Sequence, residues 1–406
     1  MKNSPKLVIT GYGLIGPFGV GGETLLQALR DKCSCTSECT LFDTHHQVAE
    51  VRDFRLADYV RNPRAERSPR ISQFALAAAA QTLSQSGIDS KRIANESTAI
   101  VYGTGMGPAV ATERSLDTIV TQGLNAVEPL NFQESVFNAP ASLISIQFKI
   151  KGPIIVLPMG WTAGLYALKQ GYDLLRRKTI ERVLVVTADE LAGKTLDALD
   201  RLGFISPNDG GDEQARPFDG RVNGTVLGEG AAAVLLESED AARNRGGTPR
   251  VRISSCAVGG DALGPGVPDA SGNAMAKVIR RAISQTGRSI ADIDHVLAGT
   301  ITTRESDLAE LNGIEMLFGK RDYPCPVTSL KPYIGETMGP AGLISLIAGI
   351  LEIEQGTVFG NRELKRADGA GITFPIESEK QSVRTVLINA IGVSGTYASV
   401  VLEAVT

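Results

Sequence analysis

The segment from Lys151 to Arg177, KGPIIVLPMGWTAGLYALKQGYDLLRR, has the form of a nucleophile elbow. Residues 154–157 are aliphatic and predict a buried strand, Gly160 follows as a turn, and the small residues 162–164 begin an amphipathic helix. A side chain in that turn lies at the positive end of the helix dipole, where a cysteine thiolate would be stabilised. The residue in the turn is Trp161, whose indole N–H can only donate a hydrogen bond. The elbow therefore has the shape of a covalent catalytic site without its nucleophile.

Candidate general bases are few, because the chain contains only three histidines. His45 and His46 lie in an early polar loop, and His295 precedes the predicted strand VLAG. We interpret all three as solvated or structurally hydrogen-bonded side chains. A Cys–His or Ser–His catalytic pair needs both partners at one site. The sequence indicates no such pair, and a pair assembled only by the fold stays open.

Two pairs of charged residues have spacings that could support chemistry. Asp307 and Glu310, in RESDLAELNG, are three positions apart on a predicted helix, and we interpret them as a capping and solvated helix face. Lys331 and Glu336 bracket KPYIGE just before a glycine-rich helix start, and we expect a buried ion pair there. Such a pair is weak evidence for stability.

The cysteines predict neither a disulfide framework nor a metal site. Their number is odd, as expected of reduced thiols in a cytosolic protein; they are Cys33, Cys35, Cys39, Cys256 and Cys325. The first three, with His45 and His46 nearby, could be interpreted as a metal cluster. Their spacing matches no standard zinc pattern. We therefore expect a loop of reduced thiols and no bound metal.

The glycine-rich segments do not predict a nucleotide cofactor. GYGLIG follows a strand and superficially resembles a dinucleotide fingerprint, but no long helix with an acidic residue about 20 positions further on follows it. GTGMG, residues 103–107, is a turn at a strand end, and the sequence contains no Walker A pattern. We expect the protein to use no cofactor.

Composition predicts a globular protein that does not bind nucleic acid. Of its 406 residues, 43% are hydrophobic and 21% charged, with a net charge of -4. This charge still allows an acidic carrier protein to dock on a local basic patch. The N-terminal segment lacks the pattern of a signal peptide, and no stretch approaches the roughly 18 apolar residues of a membrane span. We therefore expect a cytoplasmic protein without a membrane span.

Strand and helix patterns alternate along the chain, which favours an α/β fold. A weak internal repeat accompanies this alternation. The helical segment with LSQSG leads into TAIVYGTG, and the helical segment with ISQTG leads into DHVLAGTI. Such repeated units predict two similar halves that share one core. Chance similarity between two amphipathic helices is the alternative.

Several segments in the same order resemble the β-ketoacyl-ACP synthase (ketosynthase) family of the thiolase superfamily over essentially the whole chain. They are VITGYGLIGPFG, KGPIIVLPMGWTAGLYAL, ARPFDGRVNGTVLGEGAAAVLLES, VTSLKPYIGETMGPAGLISL and NAIGVSGTYASVVLE. The resemblance implies a thiolase-like α/β fold, with two duplicated βαβαβαββ halves in an αβαβα layered arrangement. We expect an N-terminal half with inserted loops at residues 1–250 and a C-terminal half at residues 251–406.

The resemblance also shows what this chain lacks. Ketosynthases use one Cys to carry the acyl chain and two His to promote decarboxylation and stabilise the oxyanion. Carried over position by position, the Cys corresponds to Trp161, the first His to Gly299 and the second His to Glu336, while the family's Lys is retained as Lys331. Loss of all three reactive groups removes covalent, acid–base and oxyanion catalysis. We expect no ketosynthase activity from this chain.

Within the family, this pattern resembles a chain-length factor, the non-catalytic partner of a type II polyketide ketosynthase. Such a subunit pairs with an active ketosynthase in a heterodimer and shapes the far end of the tunnel for a polyketide or polyene chain that an acyl carrier protein delivers. Chain-length factors commonly carry Gln at the lost Cys, and this chain carries Trp161. We expect the indole to fill the vestigial acyl cavity, with Gly160 leaving room for it.

The resemblance assigns tunnel and interface positions to the segments around residues 108–114 and 133–137 and to the elbow strand. The candidates are Pro108, Ala109, Ala111, Thr112, Gln133, Phe137 and Pro158. In the family the elbow strand pairs with its equivalent across the dimer axis. Because Pro158 cannot donate a ladder hydrogen bond, we expect a break or bulge near it and asymmetric pairing with the partner.

Two alternative functions remain. A malonyl-ACP decarboxylase on the same fold could dispense with the Cys, but Gly299 and Glu336 argue against it because such domains keep histidines there. A pure scaffold subunit would pair with the ketosynthase without influence on product length. The sequence barely separates that scaffold from a chain-length factor.

Overall fold

The computed structural model describes residues 5–208, 213–362, 364–365 and 371–405. Its strands are β1 (Leu7–Gly16), β2 (Gly19–Val20), β3 (Ser37–Glu38), β4 (Gln47–Val48), β5 (Thr98–Thr104), β6 (Ile154–Pro158), β7 (Arg182–Asp189), β8 (Gly230–Ser238), β9 (Val251–Gly260), β10 (His295–Ala298), β11 (Cys325–Ser329), β12 (Thr357–Val358), β13 (Ile372–Thr373), β14 (Glu379–Lys380), β15 (Thr385–Gly392) and β16 (Thr396–Ala404). Its helices are α1 (Gly22–Arg30), α2 (Arg70–Ser86), α3 (Ser90–Ile93), α4 (Ala109–Gln122), α5 (Pro129–Glu134), α6 (Ala139–Phe148), α7 (Ala163–Arg176), α8 (Gly193–Arg201), α9 (Glu239–Asn244), α10 (Asn273–Thr286), α11 (Arg304–Phe318), α12 (Lys331–Ile334) and α13 (Ala341–Gln355).

The strand order shows an internal duplication. From the middle outward, one half follows β1-β8-β7-β5-β6 and the other follows β9-β16-β15-β10-β11. The directions match as well: in each half the three outer strands are parallel, and the two inner strands are antiparallel to their neighbours. A short antiparallel pairing of β1 with β9 joins the halves. The predicted repeat is confirmed, whereas the division at residue 250 stays a prediction.

The two halves of the sheet are layered between helices, as the α/β prediction requires. Helices α7 and α13 pack between the halves, against β5, β7 and β15, in one continuous apolar core. Helices α2 and α6 cover the outer face of the first half, and α10 and α11 cover that of the second. Strands β7, β8 and β15 are buried on both faces, which explains their nearly unbroken apolar sequences.

The repeated SQSG and SQTG sequences have a structural cause. Both end a helix that precedes the second strand of a half, α2 before β5 and α10 before β10. The glycines that follow, Gly87 and Gly287, have left-handed backbones with φ of 62° and 76°. A glycine adopts this conformation at a helix C-terminus without a steric penalty. The similarity is therefore a shared helix cap and not chance.

The elbow strand β6 is the last strand of its half, and among the described residues no strand pairs with its outer edge. Its register with β5 is regular from Ile154 opposite Ile100 to Pro158 opposite Thr104. The expected bulge at Pro158 is therefore wrong on this side: Pro158 ends the strand without disturbing it, because its missing N–H faces away from β5. Pairing across the outer edge stays a prediction.

In the described ranges, no helix combines the length and the apolar composition that crossing a membrane would require.

Candidate functional site

The elbow has the predicted order of strand, glycine turn and helix, but the prediction that the strand is buried is wrong, because Ile154 is exposed and residues 155–157 are only partly buried. Strand β6 ends at Pro158, residues Gly160–Thr162 form one 3-10 turn, and α7 begins at Ala163. Trp161 lies in this turn and is only 8% exposed. The indole thus occupies the space at the N-terminal end of α7, where a nucleophilic side chain would have to stand.

Trp161 belongs to a compact set of apolar residues, here called the indole cluster. Its buried members are Val48, Trp161, Leu191, Leu196, Leu199, Ile205, Leu227, Ile301 and Met338. The ring of Phe204 lies beside the indole, with 6.2 Å between ring centroids. The indole nitrogen is buried and has no hydrogen-bond partner among the described residues. Packing, not hydrogen bonding, therefore holds the indole.

Gly160 has a left-handed backbone, with a φ of +59°, which favours glycine in this turn. Apart from its chain neighbours, a Cβ atom placed on it would meet nothing within 4 Å. The expectation that Gly160 leaves room for the neighbouring Trp161 stays a prediction.

The cluster joins the three segments that the sequence singled out. Ile301 follows the Gly299 segment, and Met338 follows Glu336. Two further contacts fix the elbow: Thr162 Oγ1 lies 3.0 Å from Thr396 Oγ1, and Gly164 N donates to Gly339 O at 3.1 Å. Residues far apart in sequence thus surround Trp161.

The predicted ion pair between Lys331 and Glu336 is confirmed. Lys331 Nζ donates to Glu336 Oε2 at 2.6 Å, and Met338 N donates to Glu336 Oε1 at 2.7 Å. Both residues are buried. Burial raises the pKa of Glu336, and the neighbouring ammonium of Lys331 opposes that rise. Both carboxylate oxygens are engaged, so Glu336 holds its own loop and is not poised to move a proton.

The pair Asp307 and Glu310 is buried, so the prediction of a solvated helix face is wrong. Glu310 accepts Gly299 N through both oxygens, at 3.1 and 3.0 Å, and Asn389 Nδ2 at 2.9 Å. Asp307 accepts Phe218 N and Thr300 Oγ1, each at 2.5 Å. Helix α11 turns both carboxylates inward because the loop after β10 has buried N–H and O–H donors that need acceptors. Burial raises the pKa of Glu310 to about 7, although its hydrogen bonds and the charge of Lys331 lower it.

Asp189, at the end of β7, is a positioning residue that the sequence reasoning missed. It accepts Gly105 N at 2.7 Å and Met106 N at 2.8 Å, and it accepts Gly339 N at 2.9 Å. The carboxylate thus ties GTGMG to the segment that follows Glu336. Burial raises its pKa to about 6, and the hydrogen bonds it accepts oppose this. An acidic residue directly after a buried strand, as in VTAD, was the available signal.

A large groove lies beside the elbow, between α4, α5, α6 and the segment after β7. It encloses about 1250 Å³. Of the sequence-predicted tunnel residues, Ala111 and Gln133 line it. Glu190 lines it too; its carboxylate accepts Ile71 N at 3.0 Å and Val110 N at 3.1 Å, and burial raises its pKa to about 7.

The other tunnel candidates adjoin the groove without appearing in its lining. Pro108 caps α4, Ala109 is buried in its first turn, and Thr112 is exposed on the same helix. The ring of Phe137 covers Gly107, where a Cβ atom would lie 2.5 Å from it. Pro158 is exposed at the end of β6.

The surface around this groove is unusually apolar. More than half of the large apolar side chains that are exposed in the described residues fall between residues 106 and 154, and Val120 is 84% exposed. They are Met106, Leu116, Ile119, Val120, Leu124, Leu130, Phe132, Val136, Phe137, Ile146 and Ile154. We call this set the 106–154 patch. A patch of this kind usually marks a protein–protein interface.

The cysteines do not form a shared site. Cys33 is exposed, Cys35 and Cys39 are partly buried, and Cys256 and Cys325 are fully buried. Cys39 packs at the margin of the indole cluster from a surface loop. In the described part of the chain, no three His, Cys, Asp or Glu side chains form a group that could hold a metal ion.

Comparison with known families agrees with this architecture. The model of the β-ketoacyl synthase N-terminal domain matches residues 4–242, and that of the C-terminal domain matches residues 251–365. The chain belongs to the β-ketoacyl synthase family.

Individual relatives match over nearly their full length. A 3-oxoacyl-[acyl-carrier-protein] synthase 2 of Coxiella burnetii is 27% identical, with 98% of this chain and 99% of the relative aligned. The tetracenomycin polyketide synthase ketoacyl synthase alpha subunit of Streptomyces glaucescens is 28% identical, over 98% and 96%. The solved structure of the ishigamide ketosynthase/chain length factor superposes with a TM-score of 0.92, at 25% identity and with 100% of each chain covered.

The backbone around Gly299 is crowded in this member of the β-ketoacyl synthase family. A Cβ atom on Gly299 would lie 2.3 Å from Asn389 O and 2.5 Å from Ala390 Cα. A side chain at position 299 would therefore require the neighbouring backbone of β15 to shift, and the assignment of the first family histidine to this position stays a prediction. The preceding residue, Ala298, ends β10 and carries only a buried methyl group. The segment therefore presents no imidazole at either position.

The three histidines of this β-ketoacyl synthase family member have structural partners elsewhere. His295 is buried at the start of β10, with Nδ1 2.8 Å from Glu352 Oε2 and Nε2 3.1 Å from Thr328 Oγ1. His46 is buried with Nδ1 2.7 Å from Glu213 Oε1, and the exposed His45 stacks on it. The interpretation of the histidines as structural or solvated side chains is confirmed.

Substitution of Trp161 tests the packing of the indole cluster. We expect Trp161→Ala to lower the free energy of unfolding by about 3–5 kcal/mol, because it leaves a cavity in a closed apolar cluster. Trp161→Phe should cost less, since it retains a ring and removes the unpartnered N–H. Urea unfolding followed by circular dichroism measures both. A cost below about 1 kcal/mol for Trp161→Ala would contradict the packing described here.

The raised pKa of Glu310 predicts a dependence of stability on pH. Its ordinary value is 4.5 and its folded value is about 7, so the folded protein binds more protons between these pH values. Stability contributed by the group therefore falls as pH rises from 4.5 to 7. Glu310→Gln should remove this slope, on the order of 3 kcal/mol across the window. Urea unfolding at several pH values measures it, and the exposed Glu305→Gln is the control. Equal slopes in wild type and Glu310→Gln would refute the assignment.

Proposed function

We propose that this chain is a non-catalytic, chain-length-factor-like subunit that pairs with an active ketosynthase and helps to shape the acyl tunnel. One observation carries the proposal: a buried tryptophan, packed in an apolar cluster, stands in the elbow where the family resemblance expects the catalytic cysteine. A tryptophan has no atom that could form a thioester, so the acyl chain would have to be carried by another subunit.

The surroundings of Trp161 support this role. The position that resembles the second family histidine carries Glu336, whose oxygens are engaged by Lys331 and by Met338 N. The Gly299 segment offers no imidazole. General acid–base catalysis and oxyanion stabilisation thus lack their usual groups at this site. This argues against the alternative of a malonyl-ACP decarboxylase, for which release of carbon dioxide from malonyl-ACP by the isolated chain is the direct assay.

The 106–154 patch and the free edge of β6 support association with a second subunit. Apolar side chains as exposed as Val120 and Leu124 are costly in a monomer and are expected to be covered by a partner. The structural relative is titled a ketosynthase/chain length factor. We propose an active ketosynthase as the partner, with an acyl carrier protein bringing the growing polyketide or polyene chain to the pair.

In this arrangement, the indole closes the subunit's own acyl cavity, and the chain held by the partner would extend toward the groove lined by Ala111 and Gln133. The volume left in that groove would set how far the chain can grow. Pro108, Ala109, Thr112, Phe137 and Pro158 are proposed to border the same interface. A pure scaffold would leave product length unaffected, which separates the two roles.

A substitution that narrows the groove tests control of product length. In a co-expressed pair with the ketosynthase, Ala111→Phe should give shorter products, because the phenyl ring projects into the space that the acyl chain would occupy. Mass spectrometry of the products measures this, and size-exclusion chromatography checks that the pair still forms. The exposed Ala291→Phe, in the other half, is the control. Unchanged product length in an intact pair would support the role of a pure scaffold subunit. Elution of the two proteins as separate species would refute the proposed function.

Restoring the nucleophile alone should not restore catalysis. We expect isolated Trp161→Cys, and the double variant Trp161→Cys/Glu336→His, to show no condensation of acyl and malonyl carrier proteins above the wild type. The new thiol would still lack the imidazole missing from the Gly299 segment. Product formation measured by mass spectrometry is the readout. Turnover by Trp161→Cys alone would show that the remaining groups suffice for catalysis.

A further inference from the structure

The outer edge of β6 has a defined set of backbone donors and acceptors. Pro153 O accepts Ile100 N at 2.9 Å, and Met159 N donates to Thr104 O at 3.2 Å. Odd-numbered residues of this strand therefore turn their N–H and C=O groups toward β5, and the even-numbered residues turn theirs outward. The outward residues are Ile154, Val156 and Pro158.

This edge is suited to pairing with a strand of another chain. It ends the strand order, and the apolar side chain of Ile154 on it is 40% exposed. An exposed, apolar edge strand recruits further strands unless something prevents it. This step rests on the proposed function, in which the same surface is covered by a partner subunit.

Pro158 weakens self-pairing of β6 more than it weakens pairing of β6 with a strand of a different chain. Self-pairing about a two-fold axis at Val156 would place Ile154 of each copy opposite Pro158 of the other. Because proline has no N–H, this pairing loses one hydrogen bond at each end and leaves both Ile154 carbonyls unpaired. A strand from a different chain can have a residue other than proline opposite Ile154. Pairing with that strand then loses only one hydrogen bond, the one that Pro158 cannot donate. A shift of register by two residues, which places Ile154 opposite Val156, gives the Ile154 carbonyls the Val156 N–H groups as donors, but it moves Pro158 outside the paired residues of β6 and shortens the ladder.

We propose that Pro158 is a partner-selection residue that disfavours self-association through β6, so that this edge takes a strand from a different polypeptide with a free N–H opposite Ile154. The selection works by a missing donor and not by a clash. It weakens self-association of this chain, whereas the apolar contacts of the 106–154 patch remain available to either partner.

Alanine at position 158 tests this proposal, because it returns the N–H without adding bulk. In sedimentation of the isolated chain, Pro158→Ala should raise the self-association constant about tenfold, because the paired strands regain two hydrogen bonds. Its association with the ketosynthase should strengthen only about threefold, since one bond is regained. The gain for self-association should thus be close to the square of the gain for the heterodimer.

Pro153→Ala is the matched control, because it removes the same ring directly before β6, at a residue whose backbone faces β5. Its self-association should stay within about twofold of the wild type. Self-association of Pro158→Ala equal to the wild type, or an equal gain in Pro153→Ala, would overturn the proposal. Failure of the ketosynthase to bind any form would instead refute the proposed function, while the sedimentation of the isolated chain would still decide the role of Pro158.

Discussion

Buried backbone N–H groups around the elbow must find acceptors, and the site depends on the carboxylates that provide them. Asp189 accepts N–H groups from the loop after β5 and from Gly339, Glu310 accepts Gly299 N, and Glu336 accepts Met338 N. These loops come from both halves of the fold. An unpaired buried N–H costs roughly 1–3 kcal/mol, so these carboxylates hold the loops in place despite the cost of burying them. Their raised pKa values report that cost.

In this fold, the residue that occupies the elbow determines whether the elbow can act in covalent catalysis or only contributes to packing. A small nucleophile at the N-terminus of α7 would use the helix dipole and would leave open space beside it. Trp161 fills that space and contributes packing to the indole cluster. Glu336 likewise has a structural role, because Lys331 balances its charge and its two oxygens accept hydrogen bonds from Lys331 Nζ and Met338 N. The residues that would carry chemistry instead stabilise the loops around them.

Sequence reasoning went furthest where a pattern has a local cause. Alternating strands and helices predicted the α/β class, the SQSG and SQTG helix ends revealed the duplication, and the strand–glycine–helix pattern located the elbow. The sequence predictions were wrong where contacts between distant segments determine which side chains are buried. Asp307 and Glu310 have the spacing of a solvated helix face, but their hydrogen-bond donors lie in the loop after β10, on β15 and in a segment more than 80 residues away. The crowding of Gly299 by the neighbouring strand β15 is likewise a long-range contact that no local pattern indicates.

The sequence by itself determined that Trp161 stands in a nucleophile elbow, that the chain has three histidines, and that two similar halves follow each other, because these features depend on residue identity and short-range periodicity. Only the tertiary structure decided which carboxylates are buried, that the indole is enclosed, that many apolar residues between 106 and 154 are exposed, and that β6 is the last strand of its half. Burial and pairing depend on segments brought together from both halves, and no local pattern encodes those distances. The outward direction of Pro158 belongs with these, since the register of β6 on β5 sets it.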